Sequence, residues 1–185
     1  MAAKVDSGLI QDGFTLYHHA LIFTKRGQWA VVQQGMDTAR GRARRYHWLS
    51  DKVVDFVEEP HAGIKDSGKL KVQSAKLNKT LNLVHKKSRK TRNTSAELVS
   101  DNFPTLLKDI KVLDYVNFPF DRKRLEKSLR FAHEVKPDNF EGLLSIKGVG
   151  PKTIRALSLI SEIIYGAKPS YEDPARYSFA HGGKD

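Results

Sequence analysis

Hydrophobic and polar positions follow two rhythms along this chain. Residues 14–24 (FTLYHHALIFT) and 28–34 (QWAVVQQ) are rich in aromatic and β-branched side chains, which predicts strands. Lys25, Arg26 and Gly27 between them predict a short turn, with glycine free to adopt a positive φ. In the resulting β-hairpin Thr24 faces Gln28, His19 faces Gln33 and His18 faces Gln34. Alternation places Tyr17, His19, Leu21 and Phe23 on one face and Leu16, His18, Ala20 and Ile22 on the other. Both faces are mainly apolar, so the hairpin is expected to be buried on both sides. Residues 52–58 (KVVDFVE) read as a further short strand.

The pattern then weakens. Residues 60–92 hold ten Lys and Arg against one acid, Asp66. HAGIKDSGK reads as a loop, and the spacing of Leu77, Leu81 and Val84 suits a short amphipathic helix. KKSRKTRNTS reads as a polar linker and a domain boundary.

Beyond it the period is helical. Thr94 and Glu97 have capping-box spacing, Leu106, Leu107 and Ile110 form a stripe after Pro104, and Asp121 can cap a helix carrying Leu125, Leu129 and Ala132. Asp138 and Glu141 form another capping pair. The expectation is an α+β chain with a β-rich part over 1–60, a basic connecting segment over 61–93 and a helical part over 94–185.

Residues 139–165 carry the clearest motif. Phe140, Leu143, Leu144 and Ile146 suit a short helix, Lys147-Gly148-Val149-Gly150 a hairpin, and Pro151 the first turn of a second helix striped with Ile154, Leu157, Ile160 and Ile164. Gly166 suits its end. Without side chains at 148 and 150, backbone can approach a phosphate closely. Free N–H groups at the second helix's start would point at the anion, and Lys147, Lys152 and Thr153 flank it. Val149 is expected to plug into the core. Such a site grips backbone and reads little sequence. The pattern resembles the helix-hairpin-helix family.

Charge strengthens this reading. Lys and Arg number 32 against 21 acids, a formal net charge of +11, which suits a polyanionic partner: DNA, duplex or single-stranded, or another nucleic acid. Arg40, Arg42, Arg44 and Arg45 run into Tyr46, His47 and Trp48, a mixture that suits phosphates on arginine and bases on rings. Lys86, Lys87 and Arg89 are further expected contacts. The chain has no cysteine, so no disulfide-linked partner and no cysteine-ligated iron–sulfur cluster is expected. No membrane-spanning run and no signal peptide stand out, and a cytoplasmic protein is expected.

Whether the chain is an enzyme stays open at this point. Resemblance to helix-hairpin-helix DNA glycosylases with lyase activity puts Lys152 at the position of their Schiff-base lysine. It puts Asp173 slightly beyond that of their assisting aspartate. A second alternative is a metal-dependent nuclease on the N-terminal hairpin, using His18 or His19 with Asp6 or Asp12. No cofactor is expected, although a divalent metal is compatible with that alternative. His18 and His19 are strand neighbours and cannot both reach one ion, so a metal would need other ligands such as Asp6, Asp12, His47 or His61. A third alternative is a protein-interaction module.

KVDSGLIQDGFTLYHHALIF, WAVVQQGM, ARRYHWLS, FVEEPHAGI and PARYSFAHGGKD together resemble the archaeal and bacterial family catalogued as domain of unknown function 763. The resemblance covers nearly the whole chain. It brings no catalytic residues with it, and it implies that members continue beyond both ends.

Overall fold

The computed structural model describes residues 1–39, 41–66 and 80–175. The chain is α+β, with an antiparallel sheet first and a helical body after it. β2 (Thr15–Phe23), β3 (Trp29–Asp37), β4 (Arg42–Leu49) and β5 (Gly63–Asp66) form one four-stranded sheet in that order. The hairpin register is the expected one: His18 opposes Gln34 and His19 opposes Gln33. Gly27 closes the turn at φ +84°, where an L side chain would be strained.

Two features of the hairpin differ from expectation. A β-bulge falls between Leu16 and His18, so Leu16 pairs with Gly35 and Tyr17 is left over. The extra residue turns Leu16 to the face that Gly35 shares with Tyr46. The hairpin is also not buried on both sides. β2 is the sheet's edge, and Leu21, Ile22 and Phe23 are 56%, 60% and 75% exposed. His18 and His19 are exposed with them. On β3 and β4 the alternation is strict: Val31, Gln33, Arg44, Tyr46 and Trp48 face inward and are buried.

Around this sheet lie elements that sequence patterning missed. Residues 2–8 form helix α1 (Ala2–Gly8), which packs on the helical body and carries the buried Val5 and Asp6. β1 (Ile10–Gln11) pairs with β6 (Leu81–Asn82) in a separate two-stranded ribbon. Ile64 and Asp66, expected in a loop, are the buried residues of β5. Residues 52–58 are turns and bends rather than a strand. Leu81 is strand and Val84 is non-helical, so the expected amphipathic helix does not form there; Leu77 lies outside the described residues.

The segment expected to be a polar linker is a 3₁₀ turn (Lys86–Ser88) followed by α2 (Arg89–Ser100), a central helix of the body. Thr91, Arg92 and Ser95 are buried in it. Each is satisfied by a distant group: Thr91 donates to the Ala167 carbonyl, Arg92 to the Leu83 and His85 carbonyls and to Glu58, and Ser95 meets Ser161. Polar composition misleads here because a buried polar group needs only a partner, not water. Thr94 and Glu97 lie inside this helix and cap nothing.

α3 (Phe103–Asp109) continues into a 3₁₀ segment (Ile110–Tyr115). α4 (Arg122–Val135) is capped by Asp121, which accepts from the Arg124 N–H as its sequence suggests. α5 (Phe140–Ser145) is capped by Asn139, not Asp138. α6 (Pro151–Ile163) is buried along Ile154, Leu157 and Ile160, whereas Ile164 is 43% exposed just past its end. One apolar core runs from Val5 and Trp48 through α2 to α6.

Candidate nucleic-acid interface

α5 and α6 are joined by a tight turn. Phe140, Leu143, Leu144 and Ile146 are buried, and Val149, 3% exposed, joins the core. Gly148 stands at φ +93°, which reverses the chain in so few residues. Gly150 is the N-cap of α6 and makes no side-chain cap hydrogen bond. Pro151 has no N–H to lose. The N–H groups that open α6 therefore have no side-chain cap, at the positive end of the helix dipole. A Cβ built on Gly150 would meet nothing within 4 Å, so the approach to these groups is open. Lys147 and Lys152 are exposed beside it and have no side-chain partner among the described residues.

The turn is held from behind by residues that sequence reasoning did not single out. Lys4 of α1 donates to the carbonyls of Leu144, Ser145 and Ile146 at 2.8, 2.9 and 2.8 Å. One ammonium thus caps the C-terminus of α5. Its removal from water pushes the Lys4 pKa down. Gln11 donates to the Pro151 carbonyl at 2.9 Å. From α4, Ser128 donates to the Gly148 carbonyl at 2.9 Å and lies 3.5 Å from the Thr153 hydroxyl. Thr153 is buried and supports the turn rather than facing outward. A cleft of about 300 Å³ opens here, walled by Phe120, Arg124, Leu125, the two glycines and Lys152. None of these supports has a local sequence signal, because each joins residues far apart in the chain.

The other residues expected to touch nucleic acid are scattered. Arg45 and Lys86 are exposed, and their side chains have no partner among the described residues. Lys87 pairs with Glu172 at 2.5 Å, and Arg89 with Glu58. Arg44 is 2% exposed and points inward, donating to Asp12, Asp66 and Asp173 at 2.7, 3.1 and 2.9 Å. Burial works against the Arg44 charge, but Asp12, Asp173 and Asp66 outweigh it and hold the guanidinium protonated. Arg44 is therefore an internal strut, since alternation along β4 turns it to the core while Arg45 faces out.

Asp173 does not join Lys152. It is engaged with Arg44, and its other oxygen caps the Ala175 N–H at 2.9 Å. It lines a second cleft, of about 460 Å³, with Glu59, His61, Asn82, His85 and Glu172.

The inner face of the sheet holds two buried polar networks. Asp6, 1% exposed, accepts from the Trp48 indole at 3.0 Å, from the Gln33 amide, and from His61 Nε2 at 2.5 Å. His19 Nδ1 meets the other end of Gln33 at 3.3 Å, across the register expected for the hairpin. In the second network Asp12 accepts from Arg44, from the Tyr46 hydroxyl at 2.8 Å and from the Phe14 N–H at 3.0 Å. Burial raises the Asp12 pKa, with Arg44 and the two other donors pulling against it. Burial beside Asp12 pushes the Tyr46 hydroxyl far above its ordinary range. Among the described residues no group of three or more His, Cys, Asp or Glu is placed to hold a metal ion, and no helix is long and apolar enough to cross a membrane.

The fold and its sites define an α+β chain with a polar-braced sheet and a glycine-hinged pair of helices. Residues 1–185 match the family described as a protein of unknown function, DUF763, and the chain belongs to that family. No curated protein and no solved structure matches it.

Proposed function

We propose that this chain binds the phosphodiester backbone of DNA through a helix-hairpin-helix formed by α5 and α6, with little preference for sequence, in DNA repair or processing. The observation that carries the proposal is the uncapped start of α6. Its N–H groups have no side-chain cap, the space beside Gly150 is open, and Lys147 and Lys152 stand nearby. Backbone amides at a helix N-terminus with two nearby ammonium groups favour an anion of phosphate shape. The lysine anchor behind the turn holds those amides in place.

The test is a fluorescence-anisotropy titration with a labelled duplex carrying one abasic site, beside an intact duplex, with borohydride added at the end. Salt-sensitive binding to both duplexes and no covalent adduct is the expected result. An adduct that Lys152→Ala abolishes would instead make the chain a lyase. Cleavage that needs divalent metal and survives Lys152→Ala would make it a nuclease. Absence of binding to either duplex at low salt would overturn the DNA reading and favour a protein partner.

A further inference from the structure

The two faces of the four-stranded sheet differ in charge, and the outer one has no role in the reading above. The register places His18, Gln34, Arg45 and Lys65 side by side, one from each strand. At a strand spacing of about 4.8 Å the row is roughly 14 Å long. His47 stands one step along the same face, opposite Val32 and Gly63. The paired strand positions of this face carry no carboxylate, whereas Asp37 and Asp66 point inward from the same strands and are buried. Inside, Arg42 and Arg44 are both paired with Asp66. Outside, Arg45 and Lys65 are exposed and have no partner among the described residues.

His47 adds an independent observation. Its Nε2 is buried and has no hydrogen-bond partner among the described residues. A buried polar atom without a partner costs stability unless something supplies the missing bond. The groups beside it are cations, and β3 and β5 present Val32 and Gly63 to it. Burial, then Lys65 and Arg45, push the His47 pKa down. An anion laid on the row would reverse the last two effects.

We propose that this outer face is a second phosphodiester-binding surface, on which Arg45 and Lys65 hold the phosphates of a nucleic-acid strand, His18 and Gln34 extend the contact, and His47 senses the anion's charge beside them. A carboxylate-free row with apolar Ala20 and Val32 beside it suits an extended backbone with its sugars against the sheet. The proposal shares its ligand with the hairpin reading but rests on other residues. The chain would then hold nucleic acid at two places, one on each half of the fold.

The test uses the whole chain, a labelled oligonucleotide in single-stranded and duplex form, and a range of salt concentrations. Arg45→Ala with Lys65→Ala removes two exposed, unpartnered cations and should leave the thermal midpoint unchanged. It should flatten the dependence of log Kd on log salt by about 1.5 and weaken binding about tenfold. Parent binding should strengthen from pH 8 to pH 6, and His47→Gln should flatten that rise. Gly150→Ala with Lys147→Ala reports on the hairpin separately. If the Arg45/Lys65 variant binds as the parent does at every salt concentration, the outer face is not a contact and the proposal fails, whatever the hairpin does. If that variant is weakened while the hairpin variant is not, the outer face stands and the hairpin reading falls. Parent chain that binds anionic phosphatidylserine vesicles but no oligonucleotide would overturn both.

Discussion

The Lys4 ammonium lies 2.8 Å from the carbonyl oxygen of Ile146, the residue that leads into the Lys147–Gly150 turn. The two residues are far apart in the chain, and their contact makes the N-terminal helix part of the turn's geometry. Lys4→Met keeps most of the packing and removes the donor. It should cost about 1–2 kcal/mol in urea unfolding and weaken DNA binding several-fold. Unchanged affinity with reduced stability would show that the turn holds its shape without this cap.

The two glycines of the turn should behave differently. Gly148 is at φ +93° and a Cβ there would meet only Ser128 Oγ at 3.9 Å, so Gly148→Ala costs strain, about 1–2 kcal/mol. Gly150 has φ −124° and open space around it. Gly150→Ala should therefore leave stability within about 0.5 kcal/mol of the parent and still weaken binding, because its methyl stands where a phosphate would approach. Chemical unfolding and anisotropy on the same two variants check this.

The Asp6 carboxylate accepts from Trp48, Gln33 and His61 together. Asp6→Ala would strand these buried donors. The expected loss is about 3–5 kcal/mol, read from urea unfolding followed by tryptophan fluorescence. A loss under about 1 kcal/mol would mean that water replaces the carboxylate.

Acid should loosen the junction between the β4–β5 connection and α2. Hydrogen bonding from Arg89, helped by Arg92 and opposed by burial, holds the Glu58 pKa below its ordinary 4.5. A depressed carboxylate pKa contributes stability above the unfolded value and loses it as pH falls through the folded one. Glu58→Gln should thus be less stable than the parent at pH 7. The gap should close as pH drops below 4.5. Thermal unfolding at several pH values measures it.

Local pattern made some elements legible. The hairpin register followed from alternation and a three-residue turn, because side-chain period is a property of the strand itself. The α5–α6 turn was legible because glycine and proline act on their own backbone. The Asp121 cap was legible for the same reason.

The edge exposure of β2, the central place of α2 and the supports behind the turn were not legible. Each depends on which distant group arrives beside a residue. Arg44 and Arg45 are neighbours of the same type, and local sequence does not distinguish an arginine bound to three carboxylates from one facing solvent. Strand parity sends one to each face, but only the assembled sheet decides which face meets Asp12, Asp66 and Asp173. Arg92 and Ser95 read as solvated for want of apolar neighbours in sequence, and are buried because carbonyls and hydroxyls elsewhere satisfy them. The sequence by itself determined the local backbone choices: strand, turn and helix start. Tertiary structure alone decided which polar groups are braces and which are free to bind, since a charge is available only where folding leaves it without a partner.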